Sequence, residues 1–289
     1  MNRRSFIKNI SIGAGLIITT PVVNRANILT SNSNTIAGIE QYNSLIQMAI
    51  VEKWHYTSIG ELISRIGMYF LKTPYIAHTL EKTPEQVIIN FSELDCVTFV
   101  EVSLNIARQI KNQMYKINTL KDFIQQTRYR NGEIIDYSSR LHYTTEWIIE
   151  NTKNTIYEDI TKELGGQEHQ FNYSFMSSNY HLYPALKDAP EELLHKIKEI
   201  EKQLNKKQMY IIPTHRIRSI QNKIEDGDII CIGISNEGLD YGHLGIAYNK
   251  RLLHASSKFK AVTLDKSIND FVKNYKNNIG ITVLRVKVA

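Results

Sequence analysis

Three side chains in this sequence have types and spacing suited to nucleophilic chemistry: Cys96, His243 and His254. Cys96 lies in Asn90-Phe91-Ser92-Glu93-Leu94-Asp95-Cys96-Val97-Thr98-Phe99, which reads as a loop turning into a helix. Asp95 is a good N-cap, because its short side chain can accept the free N–H groups of a first turn. Cys96 then holds the first helical position, where the helix dipole favours negative charge and a thiolate forms more easily. Behind it, Phe99, Val100, Val102, Leu104 and Ile106 predict a helix apolar enough to be buried. A lone cysteine more often packs as a small hydrophobe, so the weight falls on the two histidines.

His243 and His254 flank the dipeptide Asn249-Lys250, between two β-rich runs at 243–248 and 252–255. A two-residue hairpin loop opposes Gly245 to His254 and His243 to Ser256. Side chains alternate, so His243, Gly245 and Ala247 share a face with Leu252, His254 and Ser256. The imidazoles become diagonal neighbours there. An odd-length loop would separate them. If the Cys96 helix packs over this sheet, the thiol comes beside His243. Cys96 would attack an amide carbonyl as thiolate. His243 would take the thiol proton and return it to the leaving amine, with His254 orienting His243 through its other ring nitrogen. A zinc hydrolase using the same three residues as ligands is the first alternative, although no H-E-x-x-H or C-x-x-C spacing supports it. A catalytically silent binding module is the second.

The elements that must position these residues follow from periodicity. Helices are expected near 42–53, at 59–71 with Thr57 or Ser58 as cap, from Cys96 to about 111, and at 120–126, 140–151 and 191–206. Pro190 opens the last of these. A short strand is expected at 86–90, and residues 165–190 read as irregular. The final third changes period. Short strands at 209–212, 228–234, 243–248, 252–255, 261–264 and 281–288 are separated by Asp226-Gly227, Asn236-Glu237-Gly238 and Asn249-Lys250, with one helix near 267–276. Helices first and strands later describe an α+β domain.

The chain has 289 residues and a formal charge of +6. Arg3, Arg4, Lys8 and Arg25 supply four of those charges, so the body carries only +2 and nucleic-acid binding is not indicated. Arg3-Arg4-Ser5-Phe6-Ile7-Lys8, followed by a short glycine-diluted apolar run, has the pattern of a twin-arginine export signal. The expected organisation is a signal at 1–26, a linker at 27–40 and one domain at 41–289. The site of action is then periplasmic or otherwise extracytoplasmic, with the twin-arginine machinery as a partner and no stable membrane anchor after processing. Cys96 and Cys231 are the only cysteines, too few for a disulfide framework, and a bridge between them would remove the nucleophile.

The motifs Asp95-Cys96, Gly227-Asp228-Ile229-Ile230, His243-Leu244-Gly245-Ile246-Ala247 and Leu253-His254-Ala255-Ser256-Ser257 resemble, in order, those of the NlpC-type cell-wall cysteine peptidase superfamily. More narrowly, the chain resembles the N-acetylmuramoyl-L-alanine amidase-like family. Pro74-Tyr75-Ile76-Ala77-His78-Thr79-Leu80-Glu81, Leu94 to Glu101, Arg128-Tyr129-Arg130 and Tyr137-Ser138-Ser139-Arg140-Leu141-His142-Tyr143 carry that likeness. It extends over nearly everything after about residue 55. The resemblance implies a papain-like fold, with N-terminal helices packed on a C-terminal antiparallel sheet or half-barrel and with helical insertions. It also implies a Cys–His–His site without cofactor or metal, and amide hydrolysis in peptidoglycan, as sacculus or released fragments. Val97-Thr98 and Gly242 depart from the small residues and the serine usual beside the catalytic positions.

Further candidates concern substrate. Between Arg128 and Trp147, cationic and aromatic side chains interleave: Arg128, Arg140, His142, Tyr143 and Trp147 could stack on sugars or pair with wall-peptide carboxylates. A loop held by its own arginines is an equal reading. Tyr75 is a candidate for oxyanion or substrate contact, Asp95 for accepting a peptide amine, and Ser256 for a place beside the histidines.

Overall fold

The structure, a computed structural model, describes residues 35–287. The expected signal at 1–26 and most of the expected linker lie outside the described residues. The linker's last part does not behave as one. Ile36–Ala37 (β1) pairs in parallel with Ile89–Asn90 (β2), and helix α1 follows at Ile39–Val51. Tyr42, Leu45 and Ile46 are buried on α1, and that burial orders a segment whose composition alone looked unstructured.

Helix α2 (Ile59–Tyr69) starts where expected, with the Ser58 hydroxyl accepting from the Glu61 N–H. It is followed by α3 (Cys96–Lys111), α4 (Ile117–Arg128) and α5 (Thr144–Lys153). The expected helix from residue 140 begins four residues late, because Arg140 is extended and bridges to Tyr129. Helix α6 (Glu191–Leu204) has Pro190 as its N-cap. No described helix is long and apolar enough to cross a membrane.

The main sheet contains β3 (Tyr157–Asp159), β4 (Gln167–His169), β5 (Met209–Pro213), β6 (Ile229–Ile234), β7 (Tyr241–Tyr248), β8 (Arg251–Ser256), β9 (Ala261–Ser267) and β10 (Asn278–Val286). Helix α7 (Ile268–Lys273) sits between the last two. The order is β4-β5-β10-β6-β7-β8-β9, with β3 also pairing with β10, and every pairing is antiparallel. The change of period predicts an α+β chain and the resemblance an antiparallel sheet, and both are observed. Strands β3 and β4 were not expected. Tyr157-Glu158-Asp159 and Gln167-Glu168-His169 are short and polar, and longer neighbours recruit them as edges.

Both faces of the sheet are covered. On one, Ile229, Cys231, Leu244, Ile246 and Leu253 join the apolar residues of α2 and α3. On the other, Ile230, Ile232, Ala247 and Leu252 join Ile268, Phe271 and Val272 of α7. Gly67 of α2 marks the first interface: a Cβ there would meet Leu253 Cδ2 at 2.8 Å, Phe99 Cζ at 3.2 Å and Ile246 Cδ1 at 3.4 Å. Helices α2 and α3 therefore lie on the Ile246/Leu253 side. The start of α2 also touches the turn before β6. Gly227 has φ +90°, and a Cβ on it would stand 2.1 Å from the Gly60 carbonyl oxygen. Gly227→Ala should therefore cost at least about 2 kcal/mol, from both strain and lost helix seating, read as a lower urea midpoint with an unchanged slope.

Candidate active site

The two histidines meet. Asn249 and Lys250 form a two-residue loop with φ of 48° and 62°, and the pairings Ile246↔Leu253, Ala247↔Leu252 and Tyr248↔Arg251 fix the register. This is the even-length loop that puts both imidazoles on one face. His243 Nε2 lies 2.6 Å from His254 Nδ1, with ring planes 86° apart. Phe271 of α7 stacks on His243 at 5.7 Å and meets His254 edge-on at 4.9 Å. His254 is 1% exposed. Burial pushes its pKa down to about 4, against the opposing pull of Asp265, whose Oδ2 stands 3.5 Å from Nε2. His243 is also held well below the ordinary imidazole value, first by burial and then by His254. Both rings are thus neutral near pH 7, and one of them must donate the shared proton.

Cys96 is the first residue of α3, as expected, and is partly exposed. Asp95 Oδ1 accepts from the Val97 N–H at 3.1 Å, the Thr98 N–H at 2.8 Å and the Thr98 hydroxyl at 2.8 Å. The Thr98 hydroxyl in turn accepts from the Asp95 N–H at 2.9 Å. This reciprocal cap gives a physical reason for Thr98, one of the three residues that depart from the resemblance. No disulfide joins Cys96 to Cys231. Cys231 is buried in β6, which raises its pKa far above the usual thiol value and leaves it an inert core residue.

The route from thiol to imidazole differs from the expected one. Helix α3 packs on β7 and β8 through the Ile246/Leu253 face, whereas His243 and His254 project from the other. Helix packing therefore does not lay the thiol over the histidine face. What the fold brings together is the helix tip and one end of the sheet. Leu94 bridges to Tyr75, Pro74 bridges to Ala261, and Ala261 pairs with Ser256 at the end of β8. His243 lies near the start of β7, at that same end.

A cavity of about 310 Å³ adjoins the imidazoles. His243, His254 and Ser256 line it, together with Gly242, Phe271 and Tyr275 among others, and no carboxylate does among the described residues. Ser256 is buried, and its hydroxyl caps the next turn by accepting from the Phe259 N–H at 3.2 Å. Tyr75 is half-buried beside Leu94, between β9 and the Cys96 loop.

The residues between Arg128 and Trp147 do not join this cavity. Arg128 is 3% exposed; its guanidinium pairs with Glu101 at 2.9 Å and donates to the Ile88 carbonyl at 2.7 Å. Arg140 pairs with Glu81 and Glu85, each at 2.7 Å. The Tyr143 hydroxyl donates to Glu201 at 2.7 Å and accepts from the Met176 N–H at 3.1 Å. Trp147 packs on Tyr157, and His142 Nε2 lies 2.7 Å from the Tyr137 carbonyl. The expected role of Arg128, Arg140, His142, Tyr143 and Trp147 in substrate binding is therefore corrected. Both guanidiniums and the Tyr143 hydroxyl are committed inside the protein, and the two arginines fasten the 81–88 segment; the Trp147 ring is buried against Tyr157. Sequence reasoning missed Asp265 and Phe271, which touch the histidines. The position of Asp265 beyond a β-run was the only signal for it, and no spacing rule singles it out.

Residues 65–281 match the AmiA-like family, described as N-acetylmuramoyl-L-alanine amidase-like. A Bacteroides uniformis N-acetylmuramoyl-L-alanine amidase structure is 35% identical, covering 79% of this chain and 99% of that one, with a TM-score of 0.75. A Bacteroides fragilis structure provisionally named a xylanase is 36% identical over 77% of this chain and 99% of its own, with a TM-score of 0.69. A Legionella pneumophila protein shares the fold at 23% identity, covering 86% and 95% of the two chains, with a TM-score of 0.64. Among curated proteins none matches.

Two measurements check this geometry. Arg128→Met leaves the Glu101 carboxylate buried and uncompensated, so urea unfolding should show a loss of about 3–5 kcal/mol, largely recovered by adding Glu101→Gln. His254 titrates near 4 when folded and near 6.5 when unfolded, so the unfolded chain binds more protons between those values. Stability should therefore fall as pH drops through this window. Between pH 7 and 4 the wild type should lose roughly 3 kcal/mol more than His254→Asn, whose curve stays flatter there.

Proposed function

This chain belongs to the N-acetylmuramoyl-L-alanine amidase-like family, and from that membership and the site's geometry we propose that it is an exported cysteine hydrolase that cleaves an amide bond of peptidoglycan or of released muropeptides. The observation that carries the reading is the imidazole pair, 2.6 Å apart, at the end of the sheet where the capped tip of α3 arrives with Cys96. Cys96 supplies the sulfur nucleophile. His243 takes its proton and delivers it to the leaving amine, and His254 holds His243 in place. The helix dipole at the N-terminus of α3 supports the thiolate. The same reading places the chain in the NlpC-type, papain-like superfamily and its work outside the cytoplasm, after export by the twin-arginine machinery. The bond to L-alanine and a stem-peptide bond are both within this chemistry.

The site favours amide over glycoside cleavage. Most glycoside hydrolases need two carboxylates flanking the bond, and among the described residues none lines the cavity beside His243. It also disfavours zinc ligation by His254, because both of that residue's ring nitrogens face protein groups, His243 and Asp265. A silent wall-binding module would keep the cavity and have no use for a nucleophile.

Muropeptides incubated with the wild type should show new free N-termini by mass spectrometry, and Cys96→Ala should abolish them. Activity should survive a chelator and be lost to iodoacetamide. The pH profile of Cys96 alkylation should change in His243→Gln, reporting the coupling of sulfur and imidazole. A Cys96→Ala protein that still cleaves, or a wild type that binds fragments and never cleaves them, refutes the reading.

A further inference from the structure

Strand β9 is irregular beside the histidine pair. Against β8 its register runs Leu253↔Leu264 and His254↔Thr263, but Arg251 faces Ser267, so one extra residue is accommodated near Asp265. Bulges of this kind re-aim a side chain. Here Arg251 secures the bulged backbone, donating from Nε to the Asp265 carbonyl at 2.7 Å and from Nη2 to the Leu264 carbonyl at 3.0 Å. The Lys266 N–H donates to Asp265 Oδ1 at 2.7 Å and turns the carboxylate. Oδ2 is left 3.5 Å from His254 Nε2, a charge contact slightly longer than a good hydrogen bond. No hydrogen-bond partner reaches Nε2 more closely among the described residues.

The groups around the two rings come from several elements. His243 comes from β7, Asp265 from β9, Phe271 from α7, Tyr275 from just beyond α7, and Lys258 and Lys276 line the shared cavity. Asp265 is the one anion in this set. A neutral imidazole carries a single N–H. Placing it on His254 Nε2 lets it face the carboxylate. Placing it on Nδ1 would turn a lone pair toward that carboxylate in a buried site. With the proton on Nε2, His254 Nδ1 is an acceptor, so the 2.6 Å contact requires His243 Nε2 to be the donor. The lone pair of His243 then lies on Nδ1.

We propose that Asp265 is a positioning residue of this site: acting through His254, it holds the proton of His243 on Nε2 and leaves Nδ1 free as the base. The use of that lone pair rests on the cysteine-hydrolase reading, but the tautomers do not. Long-range proton–nitrogen NMR of the 15N-histidine-labelled protein at pH 7.5 tests the tautomers directly. Both His243 and His254 should show protonated Nε2 and bare Nδ1, and Asp265→Asn should lose or reverse that preference. The same variant should lower kcat at least about a hundredfold with KM nearly unchanged, and Asp265→Glu should restore part of it. Wild-type His254 protonated on Nδ1 overturns the proposal. So does an Asp265→Asn protein with unaltered tautomers, or one whose kcat stays within about twofold of wild type. If Cys96→Ala remains active, the hydrolase reading fails separately, while the spectra still decide the role of Asp265.

Discussion

The contact between His243 Nε2 and His254 Nδ1 constrains everything near the site. Two neutral rings this close can share only one proton, so the state of each sets the state of the other. Phe271 packs on both rings, His254 is buried, and desolvation disfavours charge on either imidazole. An imidazole without charge has a lone pair to offer, which is what a base needs before it meets a thiol. The same apolar surroundings that make the pair costly at low pH make it useful at higher pH.

That pair depends on a sheet buried on both sides. Helices α2 and α3 press on one face through Phe99, Ile246 and Leu253, while α7 seals the other through Ile268, Phe271 and Val272. The helix that carries the cysteine and the strands that carry the histidines are thus fixed relative to each other by core packing. Contact between the helix tip and the end of the sheet runs through the Pro74–Tyr75 segment, which bridges both to β9 and to Leu94. The 81–88 segment that follows is anchored by Arg128 and Arg140. Arg128 and Arg140 thus fasten this segment to the protein interior and do not line the cavity beside the histidines.

Their case shows why one reading of a sequence can fail while its neighbour holds. An arginine that binds a substrate carboxylate and one that binds Glu81, Glu85 or Glu101 look the same along the chain. Those partners lie 27 to 59 residues away, and only folding brings them in. Asp95 was different. Its partners are Val97 and Thr98, two and three residues on, so its capping role could be read directly.

By itself the sequence determined what depends on short spacing. It set the cap before Cys96, the buried stripe behind it, the two-residue loop at Asn249-Lys250, and hence the shared face of His243 and His254. Alternation with period two leaves no freedom once the loop length is known. The tertiary structure alone decided which face of the sheet α3 would cover, because an apolar helix suits either face equally well. It also decided that Asp265 would stand behind His254, since a one-residue bulge in β9 and the grip of Arg251 leave no mark in local periodicity.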